Sequence, residues 1–274
     1  MSIKSDFHVH STFSGDAHDS MEDMIKKGIE MGLTSICFTE HQDIDYDYKL
    51  NEEEEGLFDL NTDAYLYDLL KLRAKYASDI NVLFGVEIGV QPHLRRELAL
   101  YAKAYDFDFI IASAHLIDGY DPYNKVFKDT FPSDEENYRN YFKTILEDLK
   151  VFSNFDVFGH LDYIVRVGNT KDQFYSYDKY KDVIDPILTK LIDMEKGIEI
   201  NTGSLRKGMR ETNPCKDIIK KYRELGGEII TIGSDAHSID ELAYRVDQAG
   251  EILKECGFKY YATFEKRVAE MHKL

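Results

Sequence analysis

The sequence predicts an α/β fold built on parallel strands, and three observations predict it. Short β-rich runs alternate with longer amphipathic stretches along the chain. Several of those runs are almost continuously apolar, as strands covered on both faces must be. Six of the nine histidines fall at the C-terminal end of an expected strand, where parallel α/β folds assemble their sites.

Taken in order, strands are expected over 3–9, 34–39, 81–88, 107–113, 156–158, 197–200 and 228–232. Seven are too many for a small open sheet and close to the count of a barrel. Helix starts are marked by Ser20, Ser133 and Ser238, each followed three residues on by Asp23, Glu136 or Glu241 in a capping-box pattern. Gly32, Gly226 and Gly257 follow helical stretches and suit left-handed C-caps. Two insertions stand out: the acidic, aromatic stretch 42–58 after the second strand and 118–132 after the fourth. With no linker, low-complexity tract or short-period repeat in between, residues 1–274 are expected to form a single domain.

Composition narrows the function classes. The formal net charge of −17 opposes nucleic-acid binding, which needs a basic face. No apolar run reaches the roughly 18 residues of a membrane span, and the N-terminus lacks an apolar signal core. Three scattered cysteines, Cys37, Cys215 and Cys256, suit a reducing compartment, so a cytoplasmic protein is expected.

The chemistry is at the strand ends. The first strand ends in His8-Val9-His10; residues two apart on an extended chain share a side, so both imidazoles can reach one ion. The second ends at Glu40-His41, the third at Glu87, the fourth at His115 and the fifth at His160-Leu161-Asp162. The sixth ends at Glu199-Ile200-Asn201 and the seventh at Asp235-Ala236-His237. One such histidine alone reads as a buried, hydrogen-bonded core residue; six at equivalent positions read as a metal site. Imidazole and carboxylate without thiolate suit Zn, Mn or Fe.

The phrases HVHSTFSGD, FTEH, GVEIG, ASAH, GHLDYIVR, EINTGSLR and GSDAH, in this order, resemble the polymerase and histidinol phosphatase (PHP) family, most closely its histidinol-phosphate phosphatase branch. The resemblance runs from about Phe7 to C-terminal helices. It implies a distorted (β/α)7 barrel, TIM-barrel-like, with three divalent metal ions. It further implies that His8, His10, Glu87 and Asp235 hold the first metal. Glu87 bridges to a second, completed by His115 and His160; Asp16, His41 and His237 hold the third. Asp16 is supplied by the resemblance alone.

The implied reaction is hydrolysis of a phosphate monoester, with L-histidinol phosphate, an intermediate of histidine biosynthesis, as the expected substrate. Arg166 is the expected phosphate ligand because a guanidinium fork binds phosphate through two donors; Arg206 is a second candidate. Asp235 and His237 both remain open as proton donor to the departing alkoxide. Asp43, Asp45 and Asp47, interleaved with Tyr46 and Tyr48, are candidates for the substrate amine, while the run 52–55 reads as a solvated face. Alternatives are a PHP phosphoesterase acting on a nucleotide or another small phosphate ester, and a non-catalytic metal-binding regulatory protein. The last would be expected to lack ligands, and none is missing.

Overall fold

The protein is described here by a computed structural model covering residues 3–46, 56–130 and 133–274. Asp47, Tyr48 and the run 52–55 lie outside the described residues. Seven strands run in sheet order: β1 (Ser5–Val9), β2 (Ser35–Gln42), β3 (Asn81–Gly89), β4 (Phe109–Ser113), β5 (Val157–Phe158), β6 (Gly197–Asn201) and β7 (Ile230–Gly233). Each pairs in parallel with the next. The remaining edge is drawn together by a parallel bridge between Val9 and Ala236. Buried Asp6 fastens this seam, accepting hydrogen bonds from Ser234 N–H and Oγ–H and from Ala243 N–H. The result is a nearly closed barrel, as expected.

Helices α1 (Met21–Met31), α2 (Thr62–Lys75), α3 (Arg95–Ala104), α4 (Lys125–Thr130) and α5 (Asp134–Val151) fill the first four connections, and α6 (Ile164–Val167) opens the fifth. They are followed by α7 (Tyr177–Asp193), α8 (Gly203–Arg206), α9 (Lys216–Glu224) and α10 (Val246–Glu255). Ser20 and Ser133 cap α1 and α5, accepting from Asp23 N–H and Glu136 N–H. Gly32 closes α1 at φ 78°, and Gly226 and Gly257 are left-handed too. Ser238 starts no helix: residues 239–245 form turns, and Glu241 accepts from His237 N–H instead. Among the described residues no helix is long and apolar enough to cross a membrane.

The barrel interior has two storeys. The period of two along each strand puts Cys37, Leu83, Phe109, Ile111 and Val157 into one inner apolar cluster. Higher on the same faces come His41 and Glu87, whose register is direct: Cys37 pairs with Leu83, His41 with Glu87. On β1 the register slips between Asp6 and Val9, three steps opposing two on β2. This bulge lets Phe7 join the inner cluster while Val9 packs in the outer one, re-aiming the histidines on either side of Val9.

The chain ends in a feature the sequence reading missed. After α10, strands β8 (Tyr260–Glu265) and β9 (Val268–Lys273) form an antiparallel hairpin where helix was expected. Phe264 stacks on Phe109 at 5.1 Å between ring centres, plugging the lower mouth of the barrel. His272 sits on β9 and contacts Thr263 Oγ1 at 2.7 Å, away from the site.

Candidate metal centre

Glu87 is the hub. Its Oε2 lies 3.2 Å from His8 Nε2, 3.6 Å from His10 Nε2 and 3.1 Å from His41 Nδ1. Its Oε1 lies 2.8 Å from His160 Nε2 and 3.2 Å from His115 Nε2, and accepts from Ser113 Oγ–H at 2.6 Å. Asp235 Oδ1 approaches His8 Nε2 at 3.6 Å and His10 Nε2 at 3.7 Å. Asp16, from the loop between β1 and α1, faces His237 Nε2 at 3.3 Å and His41 Nε2 at 3.7 Å. All nine residues singled out as metal ligands therefore converge at the upper mouth of the barrel. The ligand atoms of three sets, His8–His10–Asp235, His8–Glu87–His160 and His10–His41–His237, each fall within 4.8 Å of one another.

An outer ring of acceptors sets which imidazole nitrogen faces inward. His8 Nδ1 contacts Glu199 Oε1 at 2.6 Å, and His115 Nδ1 contacts Asp43 Oδ1 at 2.8 Å. His10 Nδ1 reaches Ser14 Oγ at 3.1 Å, and His237 Nδ1 its neighbour's carbonyl, Asp235 O, at 3.0 Å. The single hydroxyl proton of Ser14 goes to Glu40, 2.6 Å away. Ser14 must then accept from His10 Nδ1–H, leaving the Nε2 lone pair for a ligand. Two glycines make room: a β-carbon at Gly233 would collide with the Glu199 carboxylate and His8 Cβ, and one at Gly89 with the Asp43 carboxylate.

The buried atoms fit a cation. Among the described residues, His8 Nε2, His10 Nε2, Glu87 Oε2 and Asp16 Oδ1 are buried without a hydrogen-bond partner, a costly state unless a ligand satisfies them. Burial pushes the Glu87 carboxyl up, but His8, His115 and His41 outweigh it and hold the group well below the usual carboxylate range. Burial lowers His8 and His115, yet Glu199 and Glu87, and Asp43 and Glu87, raise them well above normal. An imidazole raised by facing carboxylates marks excess negative charge, satisfied by a proton or by a metal ion. The backbone of Asp235 is left-handed at φ 57°, an uncommon state for a non-glycine residue and one that clusters at functional sites.

Both arginines are anchored. Arg166, buried, donates from Nε to Asn213 Oδ1, from one terminal nitrogen to Asp235 Oδ2 at 2.7 Å and from the other to Asn201 Oδ1. Among the described residues two of its five N–H groups stay free. Arg206 donates to the carbonyls of Ser234 and Asp235, its Nε 3.3 Å from Glu241. Both line a cavity of about 350 Å³ above the histidines.

The PHP domain pattern matches residues 6–203. The chain belongs to the PHP family. It is 34% identical to the probable histidinol-phosphatase of Clostridium acetobutylicum over 96% of this chain and 97% of that protein. It is 31% identical to the histidinol-phosphatase of Lactococcus lactis, covering 95% and 94%. The crystal structure of the Lactococcus lactis histidinol phosphate phosphatase, complexed with zinc, L-histidinol and phosphate, superposes with a TM-score of 0.87 at 30% identity, covering 97% of this chain and 98% of that one. A histidinol phosphatase from Listeria monocytogenes, described as putative, shares the fold at TM-score 0.75 and 20% identity.

Within this PHP barrel the outer carboxylates were the residues sequence reading missed. Glu199 and Glu40 stand at strand ends but were given no role, and nothing in the chain order says which histidine each would meet. Asp43, expected for a substrate amine, turns instead to His115, with its other oxygen 3.7 Å from His41 Nδ1. Asp45 pairs with His93 at 2.7 Å outside the centre.

Proposed function

We propose that this protein is a metal-dependent phosphomonoesterase that hydrolyses L-histidinol phosphate to L-histidinol and phosphate. The observation that carries the reading is the near full-length likeness to the Lactococcus lactis enzyme complexed with zinc, histidinol and phosphate, combined with nine converging ligand side chains in this chain. Three divalent ions are assigned. His8, His10, Glu87 and Asp235 would hold the first, Glu87, His115 and His160 the second, and Asp16, His41 and His237 the third. Their donors suit zinc, manganese or iron. When bound, such ions supply Lewis acidity toward phosphoryl oxygens and water of lowered pKa.

The protein's own groups do the rest. Arg166 holds Asp235 Oδ2, leaving Oδ1 for metal, and turns its spare N–H groups toward a phosphoryl oxygen in the cavity. Burial would raise Asp235, but His8 and Arg166 hold it well below the usual carboxylate range. It therefore rests without a proton to give the departing alkoxide. His237 would hold a metal through the Nε2 that faces Asp16, while its Nδ1 donates to the Asp235 carbonyl. With a metal on His237 neither group would be free to give a proton, and solvent entering the open cavity would supply it to the alkoxide.

The test is phosphate release by the metal-analysed protein from a panel of phosphate monoesters. L-histidinol phosphate should be the preferred substrate. Turnover of diesters or nucleic acid with no monoester cleaved would overturn the reaction class; preference for another monoester would overturn the substrate.

A further inference from the structure

Five acids line the cavity: Asp16, Asp43, Asp121, Asp235 and Glu241. Four are already paired. Asp16 faces His41 and His237, Asp43 faces His115, Asp235 faces Arg166 and Glu241 faces Arg206. Asp121 differs. Its Oδ2 accepts from Tyr46 Oη–H at 2.6 Å and its Oδ1 from Tyr123 N–H at 2.8 Å. Both donors are neutral, and among the described residues no cation pairs with it. Two neutral donors orient a carboxylate but leave its charge uncompensated.

The surroundings of Asp121 are aromatic. Tyr123 and Tyr163 meet edge to face at 5.9 Å, and Tyr163 continues to His160 at 5.0 Å and His115 at 5.8 Å. The Arg166 guanidinium lies 5.5 Å from the Tyr163 ring. Burial raises the hydroxyl pKa of Tyr163 well above normal, and Tyr123 and Asp121 add to it. The cavity thus has two ends. One carries the metal ligands and Arg166; the other carries one free negative charge among phenol rings, with Tyr163 between them.

We propose that Asp121, oriented by Tyr46 and walled by Tyr123 and Tyr163, is the subsite for an ammonium group borne on the alcohol part of the phosphate ester. A carboxylate among aromatic faces attracts an alkylammonium by charge and by the rings' quadrupoles. Flat ring substituents next to the amine stack on the same walls. The subsite selects amine-bearing phosphate monoesters over neutral ones. This deepens the phosphatase reading above and rests on it.

The experiment compares wild type with Asp121→Asn and Asp121→Glu at equal metal content, on L-histidinol phosphate and on p-nitrophenyl phosphate, which has no amine. Asp121→Asn keeps the shape and removes the charge. For it, kcat/KM on histidinol phosphate should fall about 10- to 100-fold, mainly through KM. Turnover of p-nitrophenyl phosphate should stay within about twofold, and Asp121→Glu should recover part of the loss. Inhibition by the product L-histidinol should weaken in parallel. An equal fall on both substrates, or no change on histidinol phosphate, overturns the subsite while leaving the phosphatase reading intact. A wild type that cleaves p-nitrophenyl phosphate but not histidinol phosphate overturns the substrate reading and the subsite with it.

Discussion

Replacing Glu199 by glutamine tests whether the outer ring governs metal binding. The Glu199 carboxylate takes three donors: His8 Nδ1 at 2.6 Å, His160 N–H at 2.9 Å and Asn201 Nδ2 at 3.1 Å. It is 1% exposed, so water cannot substitute. Glutamine has one oxygen for these three. If that oxygen faces His8, the amide NH2 confronts the His160 and Asn201 donors. If the amide is flipped, NH2 faces His8 Nδ1, and the imidazole must carry its proton on Nε2, the atom proposed to take the metal. Either way a buried polar group goes unmatched, at about 1–3 kcal/mol. That corresponds to roughly 10- to 100-fold in affinity for the ion on His8 and His10, the range seen for lost outer partners of metal histidines. Chelator competition and elemental analysis read it directly. One ion should leave Glu199→Gln before any leaves the wild type, and excess metal should restore turnover. Unchanged ion content and affinity would refute the argument.

Two further predictions concern Arg166 and Asp148. Arg166→Lys replaces a fork bonded to Asn213, Asp235 and Asn201 by a single ammonium; kcat/KM should fall about 100-fold or more, with weaker inhibition by phosphate. Unaltered kinetics would remove Arg166 from the site. Asp148 on α5 is 1% exposed, both its oxygens lack a hydrogen-bond partner among the described residues, and burial pushes its carboxyl up to about 8. The folded state therefore keeps a proton that the unfolded chain loses near pH 4, so this group's contribution to stability falls as pH rises from about 4 to about 8. Asp148→Asn removes that slope, and urea unfolding should show it gaining about 3–4 kcal/mol on wild type between pH 5 and 8; parallel curves would refute the assignment.

How much of this was legible in the sequence follows from which contacts are local. The seven strands were readable because buried parallel strands are apolar runs bounded by turns, and their ends fell within a few residues of expectation. The metal-ligand candidates were readable because a barrel brings the C-terminal ends of all its strands to one mouth, so position along a strand already implies convergence. The hairpin of β8 and β9 was not. The run Tyr260–Glu265 is short, follows a helix and breaks clean alternation at Tyr261, and its burial comes from docking Ala262 and Phe264 onto the inner cluster of the barrel. Nor was the outer ring. His8 meets Glu199 across 191 residues, and the choice of partner depends on barrel stagger, which chain order does not state. For Asp43 the residue was noticed and its direction was not: a side chain one step past β2 can turn outward to substrate or inward to His115.

The two-storey interior explains why the ligands cluster at strand ends and nowhere lower. A carboxylate such as Glu87 and the imidazoles around it need outer partners, and those partners need space. Below the Glu87 level the inner positions belong to Phe7, Leu83 and Phe109, sealed by Phe264. A polar ligand placed there would lose both water and a hydrogen-bond acceptor, at several kcal/mol. At the Glu87 level Gly233 and Gly89 open the wall for Glu199 and Asp43, so the imidazoles of His8 and His115 are oriented from behind. Substituting either glycine by alanine would press directly on an outer carboxylate. Gly89 of GVEIG and Gly233 of GSDAH thus shape the site, although neither offers a ligand atom.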